Sequence, residues 1–202
     1  MNVWRERLSR WFTPLARTCP LSPNAVSIIA LSLNLAAAAL FLAGRTRPYS
    51  FPVAVVFVIA GGLADAFDGI VARVQQKESV YGDFLDHVAD RISDTALAAC
   101  WMIGNDVAEW LVVIAISLVM LNGYIGTQIE ATFRERSYES VGRGEFVLAL
   151  IIFPLVSFIL FTSGWNALRF GGLTIPDYLT LALVAFALIA IVQRFAIAKR
   201  MS

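Results

Sequence analysis

GGLADAFDGIVARVQQKESVYGDFLDHVADRISD, Gly61 to Asp94, holds two helix ends joined by a short polar loop. Its left half reads as the end of one apolar helix and its right half as the start of the next. Asp65, Asp68, Gly69 and Ala72 fall at i, i+3, i+4 and i+7, so they share one helix face. Gly82, Asp86, Asp90 and Asp94 follow at i+4 steps on a second face. Two such faces set against each other aim four or five carboxylates at one point. Like charges held together in apolar surroundings repel and lose hydration, and they stay ionised only beside a compensating cation. All-oxygen donors select a hard ion such as Mg²⁺ or Mn²⁺. The plainer reading is a salt-bridged or proton-coupled polar patch. A single Asp would leave that open; four on two adjacent faces, with interleaved glycines, weigh against it.

Working outward, the 202 residues are 58% hydrophobic with a mean hydropathy of +0.71, too apolar for a soluble domain with a charged shell. The expected class is all-α: a polytopic integral membrane protein with one domain. A net charge of +1 and the lack of a basic, aromatic-interleaved stripe argue against a nucleic-acid partner. Cys19 and Cys100 form no CxxC or Cys/His pattern, so neither a disulfide framework nor a zinc site is expected. Arg5, Arg7 and Arg10 precede no apolar run with a small-residue cleavage site, which argues against a cleaved signal peptide.

Residues 1–20 carry Trp4, Leu8, Trp11 and Leu15 at i, i+4, i+7 and i+11 among arginines, the pattern of an amphipathic helix lying among lipid headgroups. Pro14 is expected to limit or bend it. Residues 21–202 are expected to form six transmembrane helices: Asn24 to Ala43, Pro52 to Val74, Gly82 to Gly104, Val107 to Thr132, Glu145 to Ser163 and Asp177 to Ala198. Asn34, mid-span, is expected to bond a neighbouring helix. Twelve Lys and Arg fall on the side of the motif loop and three on the other, which predicts that loop and both termini in the cytoplasm.

The run Asp65-x2-Asp68-Gly69-x2-Ala72-Arg73-x8-Gly82-x3-Asp86-x3-Asp90 resembles the signature of the CDP-alcohol phosphotransferases at all eight defined positions. Pro23-Asn24-Ala25-Val26-Ser27 resembles another run common in that family, at a corner close to the nucleotide; helix capping explains it equally well. The resemblance implies that Asp65, Asp68 and Asp86 ligate two Mg²⁺ or Mn²⁺ ions. By the same resemblance, Asp90 would serve as general base and also touch a metal. It likewise implies that Asp65, Asp68, Gly69, Ala72, Arg73 and Gly82 surround the nucleotide of a CDP-lipid, ester- or ether-linked. It implies transfer of the phosphatidyl group to a small alcohol with release of CMP, and often a homodimer. Read without it, Gly69 and Gly82 are either approach points for a phosphate or helix-packing residues.

The acceptor is less well marked. Asp90-Arg91-Ile92-Ser93-Asp94 resembles members that use inositol phosphate, so Arg91 either holds a phosphate or pairs with an Asp. Arg134, Arg136 and Arg143 would suit a polyol phosphate, or simply mark the cytoplasmic side. Asn122, Gln128 and Glu130 face inward on a continued helix and would bind hydroxyls. Gly126 and Gln128 stand where inositol-phosphate-using relatives carry basic residues, which keeps serine, choline-like amines and glycerol phosphate open. His87, about 100° round the helix from Asp86, reads as structural. The competing classes are an ion- or proton-coupled transporter, an intramembrane prenyltransferase and an inactive structural member. A transporter would scatter its carboxylates over symmetric halves. A prenyltransferase would carry two separated Asp-rich motifs. The intact signature argues against an inactive member.

Overall fold

The computed structural model describes residues 11–134 and 143–201. Residues 11–18 are helical (α1). The long helices are α2 (Pro23–Ala43), α3 (Ser50–Val74), α4 (Val80–Gly104), α5 (Glu109–Phe133), α6 (Arg143–Thr162) and α7 (Ile175–Met201). All six expected helices are present, with ends within about three residues of those read from hydropathy.

The helix starts follow from local chemistry. Ser22 caps α2 by accepting from the Ala25 amide at 3.2 Å, with Pro23 in the first turn. Ser79 caps α4 the same way, accepting from the Gly82 amide at 3.0 Å. At α7 the Thr174 amide donates to Asp177 at 2.8 Å, while the Asp177 amide faces Thr174 Oγ1 at 3.4 Å, a reciprocal cap. Asp177 also accepts from the Ala108 amide at 2.9 Å and so ties the start of α5 to the start of α7.

Among the described residues, five helices are long and apolar enough to cross a membrane: α2, α3, α5, α6 and α7. The expected six spans thus become five candidates plus α4. That helix matches α3 in its length of 25 residues but carries Asp83, Asp86, Asp90, Arg91 and Asp94 in its N-terminal part and middle.

α2 packs on both α3 and α4, α3 also on α6, and α5 joins α4 to α7. The core gathers Phe41, Phe51, Trp101, Met102 and Leu111, all buried. Asn34 donates to Ser93 Oγ at 3.3 Å, the expected interhelical bond, from α2 to α4. Trp101 Nε1 donates to Ser157 Oγ at 3.0 Å, from α4 to α6. Val56, Val113, Val192 and Phe195 face outward.

α1 runs through Pro14 and lies against the motif end of α3. Phe12 meets Phe67 edge-on at 5.5 Å, and Ala16 is buried with Ile70 and Val71. Gln75 Nε2 donates to the Ala16 and Cys19 carbonyls, both at 2.9 Å. Trp11 and Leu15 are exposed, while Trp4 and Leu8 lie outside the described residues. A short hairpin, β1 (Arg169–Phe170) and β2 (Leu173–Thr174), connects α6 to α7. Hydropathy passes over it, but Gly171 and Gly172 adopt φ of 58° and 88°, which a tight two-residue turn requires.

Candidate metal centre

Helical periodicity delivers the carboxylates as a cluster. Asp65 and Asp68 come from the last turns of α3, Asp86 from the second turn of α4. Each of the three offers a ligand oxygen, and these atoms lie within 4.8 Å of one another. Two unit charges at that separation repel by roughly 3–4 kcal/mol in a medium of effective dielectric 20. Three carboxylates with no thiol or imidazole among them form a hard-oxygen donor set, the chemistry that suits Mg²⁺ or Mn²⁺. Asp68 is the buried member, and it accepts from Ser27 Oγ of α2 at 2.5 Å. One oxygen of Asp68 is thereby fixed in place.

Asp90 stands one turn further along α4, half-buried and outside the set of three. Gly69 faces open space: a Cβ there would meet nothing within 4 Å among the described residues. Helix packing therefore does not account for it. A Cβ at Gly82 would lie 3.1 Å from Ser79 Oγ and 3.2 Å from Asn24 Oδ1, so this glycine sits tightly in the corner between α2 and α4. Ala72 is half-buried and Arg73 exposed at the end of α3. His87 turns away from the cluster; its Nε2 lies 3.6 Å from Glu130 of α5 and its Nδ1 2.7 Å from the Asp83 carbonyl.

Further along α4, at Arg91 and Asp94, lies a cavity of about 70 Å³ between α4, α5, α6 and α7. Arg91, Asp94, Asn122 and Arg194 supply its polar wall. Arg91 makes the expected ion pair, with the buried Asp94 at 3.3 Å, and its side chain also lines the cavity. Gln128 does not face inward: it is exposed and donates to Thr132 Oγ1 at 3.3 Å. Arg134 closes α5 with a left-handed φ of 58° and is exposed. The side chains of Arg136 and Arg143 lie outside the described residues.

Two residues come to the site unannounced. Ser27 belongs to the Pro23–Ser27 run, and nothing in that run points to its bond to Asp68. Arg194 counted only as a basic residue of the cytoplasmic side. Its signal was there to find: it stands well inside an apolar helix, ahead of the terminal Lys199 and Arg200.

Residues 20–195 match the profile of a family described as CDP-alcohol phosphatidyltransferase. The archaetidylinositol phosphate synthase of Methanothermobacter thermautotrophicus is 22% identical over 160 residues, 79% of this chain and 80% of that protein. The phosphatidylinositol phosphate synthase of Mycobacterium marinum is 31% identical over 133 residues, 63% of this chain and 55% of that protein. Two crystal structures of the Mycobacterium tuberculosis phosphatidylinositol phosphate synthase share the fold at 24% identity. The one with CDP-DAG bound gives a TM-score of 0.68 and covers 94% of each chain. The one in complex with manganese and citrate gives 0.66, covering 93% of this chain and 88% of that one.

Proposed function

The chain belongs to the CDP-alcohol phosphatidyltransferase family, and from that premise we propose that it transfers the phosphatidyl group, or its ether-lipid counterpart, from a CDP-lipid to a small phosphorylated alcohol. The observation that carries this reading is the cluster of Asp65, Asp68 and Asp86 within 4.8 Å. These residues would hold the divalent ions, which when bound neutralise the pyrophosphate and stabilise the leaving CMP.

The other residues divide the remaining work. Ser27 holds Asp68. Gly69 leaves helix backbone open to the nucleotide, with Arg73 at the rim for its phosphates. Asp90, outside the trio, takes the proton of the acceptor hydroxyl. The acceptor oxygen bonds to the phosphorus that bears the lipid, the pyrophosphate P–O bond breaks, and CMP departs. Arg91 and Arg194, facing one cavity, favour an acceptor that carries a phosphate, such as inositol phosphate or glycerol phosphate.

In the membrane, α4 is the sixth crossing, its carboxylates enclosed by protein rather than lipid. α1 lies in the headgroup layer with Trp11 and Leu15 outward, and the motif loop and both termini face the cytoplasm.

The test is CMP release by purified protein given CDP-diacylglycerol or its ether analogue, Mg²⁺ or Mn²⁺, and one of inositol phosphate, glycerol phosphate, inositol, serine or choline. Release with a phosphorylated acceptor is expected. Release with only unphosphorylated alcohols would overturn the acceptor assignment, and release with none would overturn the reaction.

A further inference from the structure

We infer that Gly123 and Gly126 are specificity-determining residues: by lacking side chains they let guanidinium groups from α4 and α7 line the α5 wall, where they grip the acceptor's phosphate. The inference rests on the acceptor reading above and goes beyond it to the residues that shape the site.

Gly123 and Gly126 stand three apart and share one face of α5. A Cβ at Gly123 would overlap the Arg91 guanidinium, and a Cβ at Gly126 would overlap that of Arg194. The two arginines thus approach the same helix from opposite neighbours and reach the same cavity. Asp94, paired with Arg91, offsets one of the two positive charges.

Two buried groups on residues that line this cavity are left over. Arg194 Nε, a donor, and Asn122 Oδ1, an acceptor, have no hydrogen-bond partner among the described residues. Buried polar groups are normally satisfied, and an unmet pair in one cavity describes its ligand. An anionic oxygen satisfies Arg194 and a hydroxyl satisfies Asn122. A phosphorylated alcohol supplies both. A free alcohol lacks the first, and an amine-bearing acceptor would bring positive charge to a site already held by guanidinium.

Gly→Ala in a helix interior raises helix propensity, and the overlapping atoms are the ends of flexible side chains. The variants are therefore expected to fold with the guanidiniums displaced. Two readouts separate this inference from the functional reading. The first is the KM of each substrate in the CMP-release assay. The second is inorganic phosphate binding by calorimetry in EDTA, which removes metal from the carboxylate cluster and needs no turnover.

Gly126→Ala is expected to raise both the phosphorylated acceptor's KM and the phosphate Kd by roughly tenfold or more, with the CDP-lipid KM held within about twofold. Adding Arg194→Lys should recover part of the loss, because a slim ammonium passes the new methyl group. Gly123→Ala should act in the same direction through Arg91. Unchanged phosphate binding in Gly126→Ala, absence of phosphate binding in the unaltered protein, or a parallel rise in the CDP-lipid KM would overturn the inference. Should the unaltered protein bind phosphate yet release no CMP with any acceptor, the functional reading falls and the phosphate comparison still judges the glycines.

Discussion

Ser27 has one hydroxyl proton and two acceptors in reach, the Pro23 carbonyl at 3.2 Å and Asp68 at 2.5 Å. The carboxylate, charged and closer, takes it. Removing that donor would free a buried carboxylate of the proposed metal site to rotate. Ser27→Ala should raise the Mg²⁺ or Mn²⁺ concentration for half-maximal CMP release about three- to tenfold, with kcat at saturating metal largely kept and Ser27→Thr near normal. An unshifted metal dependence would reduce Ser27 to packing. Asp90→Asn keeps the shape but loses the proposed base, so turnover should fall at least about a hundredfold while CDP-lipid binding persists. Near-normal turnover would remove Asp90 from that role. The carboxylates were legible because 3.6-residue periodicity fixes which of them share a face. Ser27 and Arg194 were not, because their partners are set by how helices far apart in sequence pack. Asp68 lies 41 residues from Ser27.

Asp177 shows how helix ends are joined across the fold. Its carboxylate accepts from the amides of Ala108 and Thr174 and from Thr174 Oγ1, so one side chain serves the starts of both α5 and α7. Asp177→Ala should lower stability by about 2 kcal/mol, seen as a drop in the unfolding midpoint. Turnover well below that midpoint should survive, since Arg194 lies about 25 Å further along α7. Equal loss of turnover at low temperature would mean that the far end of the bundle shapes the site. Hydropathy and capping residues were enough to locate all six long helices. They fell short where side-chain chemistry competes with length. α4 is long enough to span but acidic over its first half, and Gly171–Gly172 makes a turn within a stretch too short to show a period. Pro14 did not end α1, and its helix continues to residue 18.

At the scale of the whole molecule, the motif loop and the α6–α7 hairpin belong to opposite ends of the bundle. In intact cells carrying an otherwise cysteine-free chain, a membrane-impermeant maleimide should label Ala167→Cys and spare Lys77→Cys; the reverse pattern would invert the proposed orientation. The charge asymmetry behind this expectation is legible in sequence because it depends only on which loop each basic residue occupies. The cavity proposed for the acceptor is not, since it takes one wall from each of four helices. The proposed function depends on Asp65, Asp68 and Asp86 acting together as a cation site. Its most direct test is a Mn²⁺ titration of the purified protein followed by electron paramagnetic resonance, with Asp68→Asn alongside. The unaltered protein should quench the free-ion signal at stoichiometric manganese, and Asp68→Asn should bind at least about tenfold more weakly. A free-ion signal undiminished by the unaltered protein, or identical curves for the two, would contradict the account.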